Sequence, residues 1–250
     1  MKVYKQWHDE KMNFCSETMV YFSQCTENKV LSLHELLKMT SDIATEDFNQ
    51  RDMSTHVLRK YNYAFLVSRT AFRFHRMPKE NEEIVLETWE EKNDPLQFVR
   101  AYEIRNKDGE KLVSGLSKWI LIDTELRKIL PVKNYTLRPP VSFESEHDCL
   151  SCGKIIVPEN ISLIGEHKVG YSDIDANGHT NNSRYAAFMM DCLPSKYHDI
   201  AFTDFRINFS KEAMIGEVLK IYAAFEDDNK KITVVGKVGD SVSFESELYW

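Results

Sequence analysis

Apolar residues recur along the chain with two different periods, and each period predicts a different kind of element. In residues 33–48 and 182–193 they recur every three or four positions, which predicts two long amphipathic helices. Residues 1–11 are polar and predict an irregular lead-in. Strands are predicted at residues 14–24, 64–76, 83–91, 97–106 and 111–123, then at 168–172, 202–212, 217–226, 231–239 and 241–249. Each half of the chain therefore predicts a strand, a helix and an antiparallel meander.

Local signals place the ends of several elements. Ser32 followed by Glu35 has the form of a capping box, which predicts the start of the first long helix. Pro194 is expected to end the second helix, and residues 106–109 (Asn-Lys-Asp-Gly) are a hairpin turn signal. Residues 127–152 carry three prolines and few periodic positions, so we interpret them as a connection between the two halves.

Residues 171–185 (YSDIDANGHTNNSRY) place a cluster of polar side chains directly before the second helix. Asp175, Asn177 and His179 occupy alternate positions, so an extended backbone would present a carboxylate, an amide and an imidazole on one face. The first-turn amides of the following helix lack an intrahelical partner, and its dipole favours negative charge. Asp, Asn and Gly also build ordinary turns. Three different groups beside a helix start favour a functional site, and the matching stretch of the first half, ENKVLSLHE, has no Asp-x-Asn-x-His pattern.

Composition limits the classes of function. The formal net charge of −7, with 42% hydrophobic and 28% charged residues, argues against a general binder of nucleic acids or membrane surfaces. No apolar run reaches membrane-spanning length, and the first residues lack the apolar core of a signal peptide. Cys149 and Cys152 form a CxxC without a second pair, so zinc is not expected. The five cysteines are interpreted as reduced thiols of a cytoplasmic protein.

Two motifs and several shorter segments carry a resemblance to a known family. The stretch SDIDANGHTNNSRY (residues 172–185) resembles the Asp-x-Asn-x-His-x-Asn-Asn signature of the acyl-acyl carrier protein (acyl-ACP) thioesterases of the double hot-dog type. The segment FSKEA (residues 209–213) is similar to that family's aromatic-Arg-Arg-Glu-Cys segment, and residues 70–74, 87–89 and 117–119 also look like the family. The resemblance covers the chain from about residue 14 to its end.

The resemblance implies an α+β fold of two tandem hot-dog domains, each a long helix wrapped by an antiparallel β-sheet. The expected bounds are 1–140 for an N-terminal domain with the acyl-chain pocket, 141–154 for a linker, and 155–250 for a C-terminal domain with the catalytic residues. The implied partner is acyl carrier protein carrying a fatty acyl chain, with no cofactor, metal, nucleic acid or membrane insertion. A homodimer stays open, because two fused domains already supply the pairing that single hot-dog domains obtain by dimerising.

The same resemblance implies catalytic roles for Asp175, Asn177, His179 and Glu212. Thioester hydrolysis needs an activated water, a stabilised oxyanion and a leaving thiolate. Glu212 would act as general base on water, and the amides at the start of the second helix would hold the oxyanion. Asn177 would orient the thioester or the water, His179 would assist proton movement, and Asp175 would fix the orientation of its neighbours.

Two positions depart from the family. Ala213 stands where the family has cysteine, which excludes a thiol nucleophile there, and Ser210 replaces a basic residue. An acidic carrier must find a local basic patch on this chain, because the chain itself is net negative. The candidates for that patch are Arg127, Lys128, Lys133, Arg184 and Lys211.

The function expected from the resemblance is hydrolysis of a thioester, releasing free fatty acid from acyl-ACP in fatty acid biosynthesis. Two alternatives stay open at this point: a hot-dog thioesterase acting on acyl-coenzyme A, and a non-catalytic acyl-binding protein. The four polar positions argue against the second alternative, because a binding tunnel has no use for a water-activating carboxylate. The lack of a Gly-rich phosphate loop does not decide against the first.

Overall fold

A computed structural model describes residues 3–250, which contain two long helices and one short helix. The helices are α1 (Leu33–Gln50), α2 (Thr55–Arg59) and α3 (Asn182–Cys192). The strands are β1 (Gln6–His8), β2 (Phe14–Met19), β3 (Tyr63–Phe74), β4 (Glu83–Glu91), β5 (Phe98–Asn106), β6 (Lys111–Asp123), β7 (Lys128–Leu130), β8 (Ser162–Lys168), β9 (Asp204–Phe209), β10 (Val218–Glu226), β11 (Lys231–Val238) and β12 (Ser241–Tyr249). Both long helices predicted from the apolar period are confirmed.

Within residues 3–250 the strands form one antiparallel sheet in the order β1-β2-β4-β5-β6-β3-β9-β12-β11-β10-β8, with β7 beside β6. The first half of the chain supplies β1 to β7, and the second half supplies β8 to β12. The halves join where β3 pairs with β9, in a register that places Arg73 opposite Asp204. A salt bridge of 2.7 Å from Arg73 Nε to Asp204 Oδ1 links β3 to β9.

The core lies between the sheet and the two long helices. α1 buries Leu36, Leu37, Ile43 and Ala44, the face that the apolar period predicts, and packs against β2, β4 and α3. Burial of a large aliphatic side chain is worth roughly 1.5–3 kcal/mol, so this face holds the helix on the sheet. α3 packs against β8, β10 and β11. No helix within residues 3–250 is long and apolar enough to span a membrane.

Equivalent backbone hydrogen bonds recur in the two halves. The matched bonds, from N–H to C=O, are Val20–Glu82 with Val169–Glu217, Leu31–Pro78 with Thr180–Ala213, and Ser32–Gln24 with Asn181–Asp173. They align residues 22–32 before α1, here called the α1 loop, with residues 171–181 before α3, here called the α3 loop. They also align Pro78 with Ala213, so that Met77 occupies the position of Glu212.

The strands outside the central meanders differ most from the sequence prediction. β1 lies within residues 1–11, where an irregular lead-in is predicted, and the first two residues of that range lie outside the described chain. The prediction lacks α2, β7 and β8, and the strand predicted at residues 168–172 is wrong. Every residue of β8 is exposed or half-buried, so this edge strand lacks the alternating apolar pattern that sequence prediction requires.

Two predicted strands are too long, and one predicted cap is wrong. β2 ends at Met19 and β9 ends at Phe209, because the residues that follow them leave the ladder for turns. Ser32 does occupy the N-cap position of α1, but its hydroxyl is buried without a hydrogen-bond partner in the described chain. The Glu35 carboxylate does not reach back to Ser32 as in a capping box, and accepts a hydrogen bond from Gln24 Nε2 at 3.4 Å.

Candidate active site

The α3 loop folds as a tight turn and not as the extended segment predicted from the alternating polar positions. Ile174 and Thr180 form an antiparallel bridge across the turn. Asp175 N–H donates to His179 C=O at 2.8 Å, and Gly178 N–H donates to Asp175 C=O at 3.0 Å. Gly178 has φ of +86°, a left-handed conformation that glycine adopts without strain. The prediction that the three polar side chains share one face of an extended strand is therefore wrong.

Asp175 directs its carboxylate into its own turn. Its Oδ1 accepts hydrogen bonds from the backbone N–H groups of Asn177, at 2.8 Å, and His179, at 3.3 Å. This arrangement is an Asx turn, which stabilises the loop locally. Asn177 lies exposed at the tip of the turn. Asp175 is thus placed to fix the backbone of its neighbours, while the Asn177 amide is left open to solvent or to a bound molecule.

His179 and Glu212 are brought together from separate parts of the chain. The distance from His179 Nε2 to Glu212 Oε2 is 3.3 Å, and the two side chains are 39% and 44% exposed. Glu212 follows β9 in a loop, so its predicted place within a strand is wrong. An imidazole beside a carboxylate, both open to solvent, can take up and pass on a proton from water.

Asp173 joins the α3 loop to β8 and to α3. Its buried carboxylate accepts from His167 Nε2 at 2.8 Å, Gly170 N–H at 2.9 Å and Arg184 Nε at 2.9 Å. Burial opposes ionisation, but these hydrogen bonds outweigh it and hold the pKa of Asp173 below its ordinary value. Asp173 lies in the polar stretch, but no role for it was expected from the sequence. Because Arg184 is engaged here, its charge is offset and contributes little to a basic patch.

The start of α3 provides an anion-binding arrangement. Asn181 caps the helix, since its Oδ1 accepts from Ser183 N–H at 2.9 Å. The backbone N–H of Asn182 has no hydrogen-bond acceptor within residues 3–250. A cavity of about 30 Å³ opens beside it, bounded by Leu37 and Thr40 of α1, Asn182 and Ser183 of α3, Trp119 of β6 and Phe209 of β9. A free helix-start amide on a residue that lines a small cavity suits a group that develops negative charge.

A cluster of metal-ligand type lies elsewhere in the described chain. Asp9, Cys15 and Glu87 place their ligand atoms within 4.8 Å of one another. The Asn13 amide donates to both carboxylates, at 3.3 Å to Asp9 Oδ2 and 2.6 Å to Glu87 Oε1. Burial raises the pKa of the Cys15 thiol to about 12, with Glu87 and Asp9 adding to the effect. The cluster belongs to the first half and is separate from the candidate active site.

Three solved structures have the same fold over nearly the whole chain. An acyl-ACP thioesterase from Bacteroides thetaiotaomicron is 24% identical, covers 96% of this chain and 98% of its own, and has a TM-score of 0.82. A putative oleoyl thioesterase from Lactobacillus plantarum is 18% identical with a TM-score of 0.79, each chain covered to 95%. The 12:0-ACP thioesterase from Umbellularia californica is 16% identical with a TM-score of 0.76, covering 95% of this chain and 96% of its own. The expectation of a hot-dog fold is confirmed at this level.

Sequence comparison agrees with the structural one. Oleoyl-acyl carrier protein thioesterase 2, chloroplastic, from Arabidopsis thaliana is 19% identical over an alignment of 240 residues, and the match covers 88% of this chain and 65% of that protein. Oleoyl-acyl carrier protein thioesterase 1, chloroplastic, from the same organism is 22% identical over an alignment of 158 residues, and the match covers 58% of this chain and 43% of that protein. The chain thus spans less than two thirds of these relatives. The family model of the acyl-ACP thioesterase N-terminal domain matches residues 11–139, and that of the C-terminal domain matches residues 158–242. The chain therefore belongs to the acyl-ACP thioesterase family.

Proposed function

We propose that this chain is a thioester hydrolase that releases free fatty acid from acyl-ACP in fatty acid biosynthesis. The observation that carries the proposal is the pairing of His179 with Glu212 at 3.3 Å, next to the start of α3. Family membership supports the same reaction. A partly exposed carboxylate and imidazole admit water, and a free amide at the helix start can stabilise an oxyanion.

The residues divide the reaction among them as follows. Glu212 takes a proton from water while the water oxygen bonds to the thioester carbonyl carbon. The carbonyl electrons move onto oxygen, and the resulting oxyanion is held by the N–H of Asn182 and the dipole of α3. As the carbonyl re-forms, the C–S bond breaks. The proton that Glu212 took from water passes through His179 to the thiolate. A thiol of pKa about 8.5 makes a good leaving group. Asp175 fixes the turn, and Asn177 orients the thioester.

The domain division is part of the same proposal: residues 1–140 form one hot-dog domain, 141–154 a linker, and 155–250 a second domain with the catalytic residues. The matched hydrogen bonds of the two halves support it, since each half repeats a loop, a helix and a meander around it. The cavity beside Asn182, to which Leu37, Thr40 and Trp119 of the first half contribute, would take the thioester carbonyl, because a volume of about 30 Å³ suits a small group and not a whole acyl chain.

Acyl-ACP and acyl-coenzyme A differ in the carrier of the acyl group, so rates on different carriers distinguish the two substrates. The experiment is a side-by-side measurement of kcat/KM with the same acyl group on acyl carrier protein, on coenzyme A and on free pantetheine. The proposal expects the carrier-protein thioester to be hydrolysed most efficiently. Equal efficiency on coenzyme A would assign the enzyme to the other class of thioesterase, and no turnover on any of the three would leave only acyl binding.

The proposal includes a cytoplasmic location and leaves two assemblies to be distinguished, a monomer and a homodimer. All five cysteines are unpaired, which favours a reducing compartment and supports a cytoplasmic location. A homodimer stays open beside a monomer with two fused domains. Size-exclusion chromatography with light scattering would separate the two assemblies.

A further inference from the structure

The backbone of Ala213, the residue after Glu212, is held by side chains from the α3 region. Its N–H donates to the Tyr185 hydroxyl at 2.9 Å, and its C=O accepts from the Thr180 hydroxyl at 2.6 Å. The backbone N–H of Thr180 also points to the same carbonyl, at 3.4 Å. All three residues are buried. We call this pair of side chains, Tyr185 and Thr180, the Ala213 clamp.

The first half lacks every polar group of this clamp. Pro78 aligns with Ala213 and has no N–H to donate. Leu31 aligns with Thr180, and five residues further on Leu36 aligns with Tyr185, so both hydroxyls are replaced by aliphatic side chains. The residue before Pro78 is Met77 in place of Glu212. The clamp therefore occurs in the half that carries the carboxylate.

Packing alone does not require the clamp. The first half closes the same junction with Leu31, Leu36 and Pro78, none of which carries a side-chain hydroxyl. Buried hydroxyls and amides are costly unless each finds a partner, so polar groups at this junction call for a second reason. Burial raises the pKa of Tyr185, which keeps its hydroxyl neutral and able to accept the Ala213 N–H.

We propose that Tyr185 and Thr180 are positioning residues, which hold the peptide after Glu212 so that its carboxylate stays 3.3 Å from His179. The proposal rests on the proposed hydrolase function, in which Glu212 is the base. A half-exposed loop carboxylate would otherwise sample many positions. Misplacement of a reacting group by about 1 Å can cost about 100-fold in rate, so a clamp on the adjoining peptide bears directly on turnover.

The test measures kcat and KM with a short pantetheine thioester. Tyr185→Phe keeps the ring and removes the acceptor, so kcat should fall about 10- to 100-fold with KM changed less than about twofold. Tyr197→Phe is the matched control. Tyr197 is also buried, its hydroxyl donates to Asp227 Oδ1 at 2.7 Å, and it follows the far end of α3. The control should keep kcat within about twofold.

A double-mutant cycle shows whether Tyr185 acts through Glu212. In a Glu212→Gln background, Tyr185→Phe should lower the residual turnover no further, because the group that it positions is already gone. A full additional loss would mean a general structural role and would overturn the proposal. Near-normal kcat in Glu212→Gln itself would instead overturn the base assignment of the proposed function, so the two failures are distinguishable.

Thr180→Val gives a second, independent variant, which decides the question where Tyr185→Phe does not fold. It keeps the side-chain shape and the backbone N–H and removes the hydroxyl, which bonds to Ala213 C=O and also interacts with the Tyr185 hydroxyl. Its kcat should fall at unchanged KM, in contrast to Thr233→Val. Thr233 is equally buried, but its hydroxyl has no partner in the described chain, so its loss removes no bond. If Thr180→Val turns over as fast as Thr233→Val, the clamp has no part in positioning Glu212.

Discussion

The α1 loop and the α3 loop have the same backbone and different chemistry. Both contain a 3-10 turn, a β-bridge and a left-handed residue before the helix starts. The left-handed residue is Lys29 with φ of +58° in one loop and Gly178 with φ of +86° in the other. A backbone hydrogen bond closes each turn. In the α1 loop it runs from Thr26 N–H to Val30 C=O at 2.9 Å, and in the α3 loop from Asp175 N–H to His179 C=O at 2.8 Å. A helix start of this shape is therefore not in itself a catalytic site.

Three substitutions separate the structural loop from the candidate site. Thr26, Val30 and Met77 of the first half align with Asp175, His179 and Glu212 of the second. The first set has no titratable group, so it can neither activate water nor move a proton. Asp175 is an acceptor that holds the turn, and in the proposed mechanism Glu212 is the base and His179 the proton carrier. Because the fold is constant between the loops, exchanging single residues between them tests each role separately.

Glu212→Gln should have the largest effect. The change is nearly isosteric but removes the proton acceptor, so kcat should fall by about 10²–10⁴, roughly 3–5 kcal/mol in barrier. Acyl-chain affinity should be kept, which competition with a non-hydrolysable analogue measures. Glu27→Gln in the exposed part of the α1 loop is the control and should be silent. Near-normal turnover of the Glu212 variant would contradict the proposed base.

Asp175→Thr places the first-half residue in the α3 loop. Thr26 hydrogen-bonds to its own turn through Oγ1, which contacts Val30 C=O at 3.4 Å, whereas Asp175 accepts from two backbone N–H groups. The variant leaves these two N–H groups without their acceptor, so kcat should fall roughly tenfold through a misplaced His179. The reverse change, Thr26→Asp, should leave steady-state kinetics unaltered. Equal kinetics for both variants would show that the turn needs no carboxylate.

The sequence predicted the elements that have a strong apolar period. Both long helices and the β4 and β6 strands fall at their predicted residues, because a buried face repeats at the helical or strand period. The edge strand β8 was missed, because solvent on one side removes that constraint. The Ser32 cap has the expected residue type and lacks the expected bond, because tertiary contacts of Glu35 with Gln24 compete with it.

The candidate site was only partly predictable. The family motif named Asp175, Asn177, His179 and Glu212, but their alternating spacing suggested an extended strand where the chain forms a turn. Local sequence is compatible with both conformations, and the bridge across the turn depends on residues at its two ends. The contact between His179 and Glu212 spans two loops, and no local pattern predicts such a pairing.

The two halves also differ in the exposed basic residues that could bind an acidic carrier protein. Arg127, Lys128 and Lys133 are exposed in the first half, and Lys211 is exposed beside the site in the second. Replacing Arg127, Lys128 and Lys133 together by glutamate should raise KM for acyl-ACP roughly three- to tenfold at low salt, and less at high salt. A short pantetheine thioester should be unaffected. A larger effect from Lys211→Glu alone would place the carrier on the second half, and equal losses on both substrates would indicate damage to the fold.

Asp173 and Gln24 occupy matching positions and differ in charge. Asp173 has a lowered pKa in the folded state, so its contribution to stability is present above the ordinary carboxyl pKa and is lost as pH falls through the lowered value. Asp173→Asn should therefore lower the thermal midpoint at pH 6, and the difference from the parent should shrink below about pH 4. Gln24→Ala removes the acceptor of Tyr21 N–H at 2.9 Å and the donor to Glu35 at 3.4 Å, and its cost should change less between pH 6 and pH 4 because Gln24 itself does not titrate. A gap that widens in acid would refute the assignment.

Cysteine alkylation should have the smallest effect. Cys25 lies in the α1 loop and Cys192 at the far end of α3, and burial raises the pKa of both thiols, with Glu80 adding for Cys25 and Asp191 for Cys192. The thiolate is the reactive form, so both should label slowly at neutral pH. Cys192 is half-buried, so some labelling is expected. Because Ala213 leaves no thiol beside Glu212, iodoacetamide should reduce kcat by less than about twofold even at full modification, which intact-mass measurement can follow.

Loss of turnover in proportion to the label, together with an acyl group trapped on a cysteine after rapid quench, would replace direct attack by water with a covalent route.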